Sequence, residues 1–181
     1  MTGDDVVDVA GLAATVQRVA ETEPLVVVMG VSGCGKTTIG TRLAERLHIP
    51  FIDGDDLHTT ANAAKMAVGR PLGDDDRWPW LDRVGEELAY AGAAGLVIAC
   101  SALKRRYRDA IRAHAPTVVF VHPAAPKEVV AERIAARKGH FMPAALLASQ
   151  YADLEVPGWD ERCVTVDVTQ PLPAVWRRPV G

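Results

Sequence analysis

The segment from Gly30 to Thr37 constrains the fold of this chain more than any other feature. Its residues, Gly-Val-Ser-Gly-Cys-Gly-Lys-Thr, match the pattern G-x-x-x-x-G-K-[ST]. An apolar run precedes it at residues 25–29, and residues 36–47 have the periodicity of a helix. A strand, a glycine loop and a helix in this order turn backbone N–H groups toward a bound phosphate. The segment therefore predicts a nucleotide-phosphate site at the end of a buried strand.

Each residue type in this loop has an expected role. Lys36 is expected to contact the β- and γ-phosphates of ATP, and the Thr37 hydroxyl to ligate Mg²⁺. Cys34 is interpreted as a small residue that the position requires, with a redox-regulated thiol as the alternative. The residues assigned to the nucleotide are Gly30, Val31, Ser32, Gly33, Cys34, Gly35, Lys36, Thr37 and Thr38.

Short apolar runs alternate with helical segments along the rest of the chain. The apolar runs are residues 25–29, 51–52, 96–100, 117–121 and 163–168. The helical segments are residues 36–47, 80–90 with Pro79 in the first turn, 104–113, 127–137 and 143–154. This alternation predicts an α/β fold with a central five-stranded parallel sheet covered on both faces. Ligands of such a sheet bind beyond the carboxyl ends of its strands.

Length and composition limit the possible partners. A chain of 181 residues suits one domain, and a net charge of -3 does not indicate a nucleic-acid partner. The three cysteines are too sparse for a disulfide framework or a zinc site, which favours a reducing cytoplasm. No apolar run approaches the roughly 20 residues that cross a bilayer. We expect a soluble, cytoplasmic protein without a membrane partner.

Residues 1–24 are interpreted as an N-terminal extension of a single kinase domain at residues 25–181. Acidic residues stand where a signal peptide needs positive charge. Residues 9–20 have the pattern of a short amphipathic helix, and the alternative is a frayed extension.

Acidic residues after the second strand are candidates for chemistry at the acceptor. The third strand ends at Ala99-Cys100-Ser101, without the acidic residue that P-loop ATPases commonly place there for Mg²⁺. We therefore expect Asp55 to orient or deprotonate an acceptor hydroxyl, and Asp53 to support the metal. The alternative is a solvated acidic turn or a helix cap.

Cationic residues and histidines complete the candidate site. Arg77 could clamp an anionic substrate, because a guanidinium pairs bidentately with a carboxylate. The alternative is that Asp74-Asp75-Asp76-Arg77 is an acidic helix start with Asp76 near the cap. Lys104 follows the third strand, and its alternative role is a solvated helix face. Arg137 belongs to a basic cluster that suits a lid at about residues 133–143, which would carry an arginine onto the phosphates. His58 and His140 are interpreted as polar contacts to substrate, since neither has metal-ligand companions at a convincing spacing.

Several of these segments occur together in one known family. They are Phe51-Ile52-Asp53-Gly54-Asp55-Asp56-Leu57-His58, Asp74-Asp75-Asp76-Arg77, Cys100-Ser101-Ala102-Leu103-Lys104 and Arg137-Lys138-Gly139-His140-Phe141. With the phosphate loop they resemble the bacterial gluconokinases from about residue 25 to about residue 171. One departure is Thr59, where the family commonly has proline.

The resemblance implies ATP- and Mg²⁺-dependent phosphorylation of D-gluconate at its terminal hydroxyl, giving 6-phospho-D-gluconate and ADP. It also implies a three-layer fold like that of the nucleoside monophosphate kinases, with a substrate-binding helical region, a mobile lid and a homodimer. By similarity to the shikimate kinases, Asp55 lies beside the acceptor hydroxyl and Arg77 binds the substrate carboxylate.

Two other functions stay open from the sequence. One is a related P-loop kinase acting on another small hydroxy acid, such as shikimate. The other is a nucleotide-binding regulator without catalysis, although the presence of Lys36, Asp55 and Arg77 argues against it.

Overall fold

A five-stranded sheet, parallel throughout, forms the centre of the protein. The computed structural model describes residues 11–20, 24–68, 70, 72–136 and 144–169. The strands are β1 (Leu25–Val28), β2 (Phe51–Asp53), β3 (Leu96–Ala99), β4 (Val119–Ala124) and β5 (Cys163–Asp167). They lie in the order β2-β3-β1-β4-β5. The predicted α/β fold and its parallel sheet are confirmed.

Helices cover both faces of the sheet. They are α1 (Leu12–Ala20), α2 (Lys36–Leu47), α3 (Thr60–Ala67), α4 (Asp74–Ala91), α5 (Arg105–His114), α6 (Lys127–Ala135) and α7 (Ala144–Asp153). Strand β1 is buried on both sides: Val26 and Val28 pack with α1 and α2, whereas Leu25 and Val27 pack with α4 and α5. A strand covered on both faces requires a continuous apolar run, which is why β1 is so apolar in the sequence.

The segment interpreted as an N-terminal extension contributes to the core through α1. Leu12 and Val16 are fully buried, and the helix contacts α2, β4 and β5. For residues 12–20 the structure therefore agrees with the amphipathic helix and not with a frayed extension. None of the helices in the described ranges is both long and apolar enough to cross a membrane.

Helix α4 begins earlier than the sequence indicated. It starts at Asp74, so Pro79 lies inside the helix and its prediction in the first turn was wrong. The reason is a cap at the N-terminus, where the Asp76 carboxylate accepts a hydrogen bond from the backbone N–H of Gly73 at 3.0 Å. Helix α5, in contrast, begins one residue later than the sequence indicated, at Arg105, with Lys104 as its N-cap residue.

The region between β2 and α4 contains helical elements that the sequence did not reveal. A 3₁₀ turn runs from Gly54 to Leu57, and α3 follows it. The Thr59 hydroxyl caps α3 by accepting a hydrogen bond from the backbone N–H of Asn62 at 3.1 Å. These elements lie between the acidic turn after β2 and the start of α4.

A buried ion pair joins α5 to the turn that precedes β5. Arg108 is fully buried, and its Nε and Nη2 donate to the Glu161 carboxylate at 2.7 and 2.8 Å. Arg112 Nη1 also donates to Glu161, at 2.9 Å. Burial alone raises the pKa of Glu161, but the hydrogen bonds from both arginines outweigh it and lower the pKa to about 2.

We expect Glu161→Gln to destabilise the protein by about 3–5 kcal/mol, because Arg108 keeps its charge and loses its carboxylate. Urea unfolding at pH 7 measures this loss. The matched control is Asp160→Asn, which breaks an exposed pair with Arg105 and should cost less than about 1 kcal/mol.

The same variant has a predictable pH dependence. Since the folded-state pKa of Glu161 is below the ordinary value of 4.5, the stabilisation is complete above pH 4.5 and is lost as the pH falls toward 2. The difference in unfolding free energy between wild type and Glu161→Gln should therefore shrink across this range. A difference that stays constant down to pH 2.5 would contradict the assigned ion pair.

Candidate active site

The phosphate loop connects β1 to α2 and has a backbone conformation that glycine adopts readily and other residues do not. Gly30, Gly33 and Gly35 have φ angles of 126°, 83° and 103°, in the left-handed range that other residues avoid. At Gly33 a Cβ atom would also lie 2.6 Å from Cγ1 of Ile134 on α6. The loop therefore needs glycine there both for its conformation and for its packing.

Lys36 and the start of α2 make this loop a suitable anion site. Lys36 Nζ donates to the backbone carbonyl of Val31 at 3.0 Å, so the ammonium folds across the loop. Gly35 is the N-cap of α2, where no side chain accepts from the backbone N–H groups. Those N–H groups and the positive end of the helix dipole are the groups that bind phosphate in such loops.

Cys34 belongs to the loop, and its side chain is buried in an apolar cluster with Val31 and Val130. Burial raises the pKa of its thiol, and the charge of Lys36 opposes this only in part. A thiol with a raised pKa has little thiolate at neutral pH, and only the thiolate reacts readily. The structure thus favours the interpretation of Cys34 as a small packing residue over that of a redox switch.

Thr37 and Asp53 meet at the carboxyl edge of the sheet. The Thr37 hydroxyl donates to Asp53 Oδ2 at 3.2 Å, and Asp53 Oδ1 accepts from the backbone N–H of Asp55 at 3.2 Å. A hydroxyl and a carboxylate are ligands that Mg²⁺ accepts, together with waters and phosphates. In the described part of the chain no three His, Cys, Asp or Glu side chains are grouped to hold a metal. The residues present therefore fit Mg²⁺ shared with a nucleotide and not a closed protein cage.

Asp55 and His58 lie on the turn that follows β2. The Asp55 side chain is 85% exposed, and its Oδ1 is 4.0 Å from His58 Nε2. The His58 ring stacks on Trp80 with a centroid distance of 4.2 Å. Burial lowers the pKa of His58, more than the Asp55 charge raises it. His58 is therefore a neutral imidazole at neutral pH, beside an accessible carboxylate.

Trp80 anchors this turn and was not identified from the sequence as a site residue. Its indole Nε1–H donates to the carbonyl of Gly54 at 2.6 Å. A Cβ atom at Gly54 would lie 2.4 Å from the carbonyl oxygen of Ala99, at the end of β3. The turn that carries Asp55 therefore runs close against the end of β3.

Three cations surround the ring of Tyr107 on α5. The guanidinium carbons of Arg77 and Arg106 are each 5.6 Å from the ring centroid, and Lys104 Nζ is 5.8 Å from it. Such distances allow attraction between each cation and the face of the ring. The sequence analysis assigned no site role to Tyr107 or Arg106, because a basic run at the start of a helix is usually solvated.

Only one of these cations lacks a carboxylate within 4 Å in the described ranges. Arg106 pairs with Asp74, and Lys104 Nζ is 3.2 Å from Asp153. Arg77 instead donates to the carbonyl of Leu72 at 3.4 Å, a long contact. Arg77 is therefore the cation of this cluster that is best placed to bind an anionic ligand.

Residues of the phosphate loop and of the acidic turn after β2 meet at the end of β3. Cys100 is 1% exposed, and burial raises the pKa of its thiol to about 12, while the charges of Lys36, Asp55 and Arg77 also act on it. The hydrogen bond from Thr37 to Asp53 and the close approach of Gly54 to Ala99 bring the phosphate loop and the acidic turn together at this strand end. Arg137 and His140 lie outside the described residues, as does most of the expected lid, so their roles stay predictions.

Comparison with known proteins agrees with this geometry. A family model described as an AAA domain matches residues 25–157. A gluconokinase of Gluconobacter oxydans is 51% identical over 142 residues, which are 77% of this chain and 80% of that protein. The crystal structure of a gluconokinase from Sinorhizobium meliloti has a TM-score of 0.77 at 50% identity, and covers 83% of this chain and 86% of that one.

A more distant structure shares the fold alone. Shikimate kinase from Bacteroides thetaiotaomicron has a TM-score of 0.52 at 15% identity, and the match covers 83% of this chain and 90% of that one. The extensive identity to gluconokinases, over most of both chains, shows that the protein belongs to the gluconokinase family of P-loop kinases.

Proposed function

We propose that this protein transfers the γ-phosphoryl group of ATP to the terminal hydroxyl of D-gluconate, giving 6-phospho-D-gluconate and ADP. The observation that carries this proposal is the contact between the phosphate loop and the acidic turn: the Thr37 hydroxyl donates to Asp53 at 3.2 Å, and Asp53 in turn accepts from the backbone N–H of Asp55 at 3.2 Å. A P-loop kinase needs a phosphate loop and an acceptor-orienting group within reach of each other. Membership of the gluconokinase family supports gluconate as the acceptor.

The donor half consists of the phosphate loop and the start of α2. Lys36 and the loop N–H groups hold the β- and γ-phosphates, where Lys36 offsets the charge of the transferring group. The Thr37 hydroxyl and Asp53 would hold Mg²⁺, which supplies charge neutralisation to the phosphate oxygens when it is bound. Their mutual hydrogen bond at 3.2 Å supports this assignment, because both side chains already face one point.

The acceptor half consists of Asp55, His58, Arg77 and Lys104. Asp55 accepts a hydrogen bond from the terminal hydroxyl of gluconate and is the group placed to take its proton. The new bond joins that hydroxyl oxygen to the γ-phosphorus, while the bond from the γ-phosphorus to the bridging oxygen of ADP breaks. Neutral His58 and Lys104 contact other substrate hydroxyls, and Arg77 pairs with the substrate carboxylate.

Arg137 and His140 complete this proposal on the lid, at about residues 133–143. Arg137 would bring a second cation to the transferring phosphoryl group, and His140 a polar contact to the substrate. Closure of a lid excludes water and so limits wasteful ATP hydrolysis. Further expectations are a homodimer in the cytoplasm and a kinase domain at residues 25–181, with residues 1–24 as its extension.

A substrate panel tests the proposed acceptor. Purified protein with ATP and Mg²⁺ should convert D-gluconate to 6-phospho-D-gluconate with a higher kcat/KM than shikimate or other small hydroxy acids, because polar sites reject acceptors that leave their groups unpaired. A higher kcat/KM for another acid would show that this acid, and not D-gluconate, is the preferred acceptor. If the folded protein binds ATP but phosphorylates none of these acids, the result would support the alternative of a nucleotide-binding regulator without catalysis.

Asp55→Asn should lower kcat by about 10²- to 10⁴-fold, because an amide cannot accept the hydroxyl proton. The KM for ATP should stay within about twofold, since the phosphate loop is intact. The matched control is Asp56→Asn, which alters the adjacent, exposed carboxylate of the same turn. Steady-state kinetics with both substrates measures these changes, and an unchanged kcat would remove Asp55 from the role of base.

Arg77→Ala should raise the KM for gluconate by about 10- to 100-fold, which corresponds to the loss of charge-assisted hydrogen bonds to a carboxylate. The KM for ATP should change little. Arg83→Ala is the control, because Arg83 is an exposed arginine on the same helix. If both variants raised the KM for gluconate equally, Arg77 would not be the carboxylate-binding residue.

A further inference from the structure

Helix α7 packs directly beneath the phosphate loop with one face. Leu147, Gln150 and Tyr151 recur at the spacing of that face. Leu147 is 3% exposed and belongs to the same apolar cluster as Val31 of the loop. The Tyr151 hydroxyl donates to the carbonyl of Ala125 at 2.9 Å, which ties the helix to the end of β4. The apolar part of this face therefore fixes where α7 lies against the loop.

Gln150 makes the polar contact of this face, and it contacts the loop twice. Its Oε1 accepts a hydrogen bond from the backbone N–H of Ser32 at 2.6 Å. Its Nε2 donates to the Ser32 hydroxyl at 3.2 Å. A primary amide has one carbonyl acceptor and two N–H donors, so a single glutamine satisfies both groups. These contacts connect residues 118 positions apart in the chain.

Ser32 lies at a point where the loop depends on outside support. It stands between Gly30 and Gly33, both with positive φ angles. Glycine loses more conformational freedom on ordering than any other residue, so a loop rich in glycine is costly to fix in one shape. A loop already fixed in its binding shape avoids that cost when the ligand arrives. The hydrogen bonds from Gln150 hold the residue between the two glycines.

We propose that Gln150 is a positioning residue for the phosphate loop and acts through Ser32. Gln150 fixes Ser32 so that the loop N–H groups converge on the nucleotide phosphates. It acts on the donor half of the site alone, since its contacts are to Ser32 and not to the Tyr107 cluster or to Asp55.

Gln150→Leu tests this role, because leucine has a similar size and makes neither hydrogen bond. We expect the Kd for ATP, measured by calorimetry without an acceptor, to rise about 10-fold. The KM for ATP should rise in parallel, while the KM for the acceptor stays within about twofold. Gln150→Asn keeps the amide but shortens its reach, and should give the same loss if Gln150→Leu does not fold.

A double-mutant cycle separates positioning from general packing. Ser32→Ala removes the hydroxyl partner and keeps the N–H, so it should weaken ATP binding by about threefold in wild type and not at all in Gln150→Leu. The control is Ser149→Ala, whose exposed hydroxyl donates only to the Leu146 carbonyl of its own helix, at 2.9 Å. Its Kd for ATP should stay within twofold.

Three results would overturn the assignment of Gln150. The first is a Kd for ATP within twofold of wild type in Gln150→Leu. The second is an equal rise in the KM values for ATP and acceptor together with a lower Tm, which indicates general destabilisation. The third is a Ser32→Ala effect of the same size in both backgrounds. Because ATP binding is measured without an acceptor, the outcome does not depend on gluconate being the substrate.

Discussion

The parallel register of β1, β2 and β3 is the constraint on which the site depends. Val28 and Asp53 both pair with Ala99, so the three strands end at the same level. The phosphate loop and the acidic turn therefore start side by side, and Thr37 reaches Asp53 across this edge. A shift of one residue in this pairing would turn every side chain of the strand to the opposite face. Because β1 is apolar on both faces, its hydrophobic pattern alone does not fix this register. Backbone hydrogen bonds at the strand end hold it, from the Gly30 N–H to the Ser101 carbonyl and from the Cys100 N–H to the Val28 carbonyl, both at 3.0 Å.

Helix α4 extends this arrangement from the end of β2 to α5. Trp80 bonds the carbonyl of Gly54 and stacks on His58, while Asp74 accepts hydrogen bonds from Tyr107 and Arg106. The hydrogen bond from Tyr107, and then that from Arg106, lowers the pKa of Asp74. Asp74 is therefore ionised at neutral pH and neutralises one of the cations around Tyr107. The acceptor side is thus organised by one helix that contacts both the turn after β2 and the first turn of α5.

Local signals explain what the sequence could predict. The phosphate loop and the five apolar runs are contiguous patterns, and the structure confirms the parallel sheet that they predict. The missed contacts join distant residues: Trp80 to Gly54 across 26 positions, Tyr107 to Asp74 across 33, and Gln150 to Ser32 across 118. No periodicity encodes such contacts, since packing decides them. The apolar pattern placed the start of α4 at residue 80 because the cap precedes that pattern; the alternative of an acidic helix start with Asp76 near the cap agrees with the structure.

The two halves of the site differ in how their polar groups are satisfied before ligands bind. On the donor side Lys36 contacts the Val31 carbonyl, Thr37 contacts Asp53, and Ser32 contacts Gln150. Nucleotide binding at Lys36 and Thr37 therefore exchanges protein partners for phosphate oxygens and metal. On the acceptor side Asp55 is 85% exposed, and Arg77 has no carboxylate within 4 Å in the described part of the chain. Substrate binding there replaces water, and an acceptor lacking a carboxylate or a reactive hydroxyl would leave a charge unpaired. In the proposed reaction, discrimination between substrates would therefore arise mainly at Asp55 and Arg77, whereas the donor half would contribute a fixed, shared geometry for phosphoryl transfer.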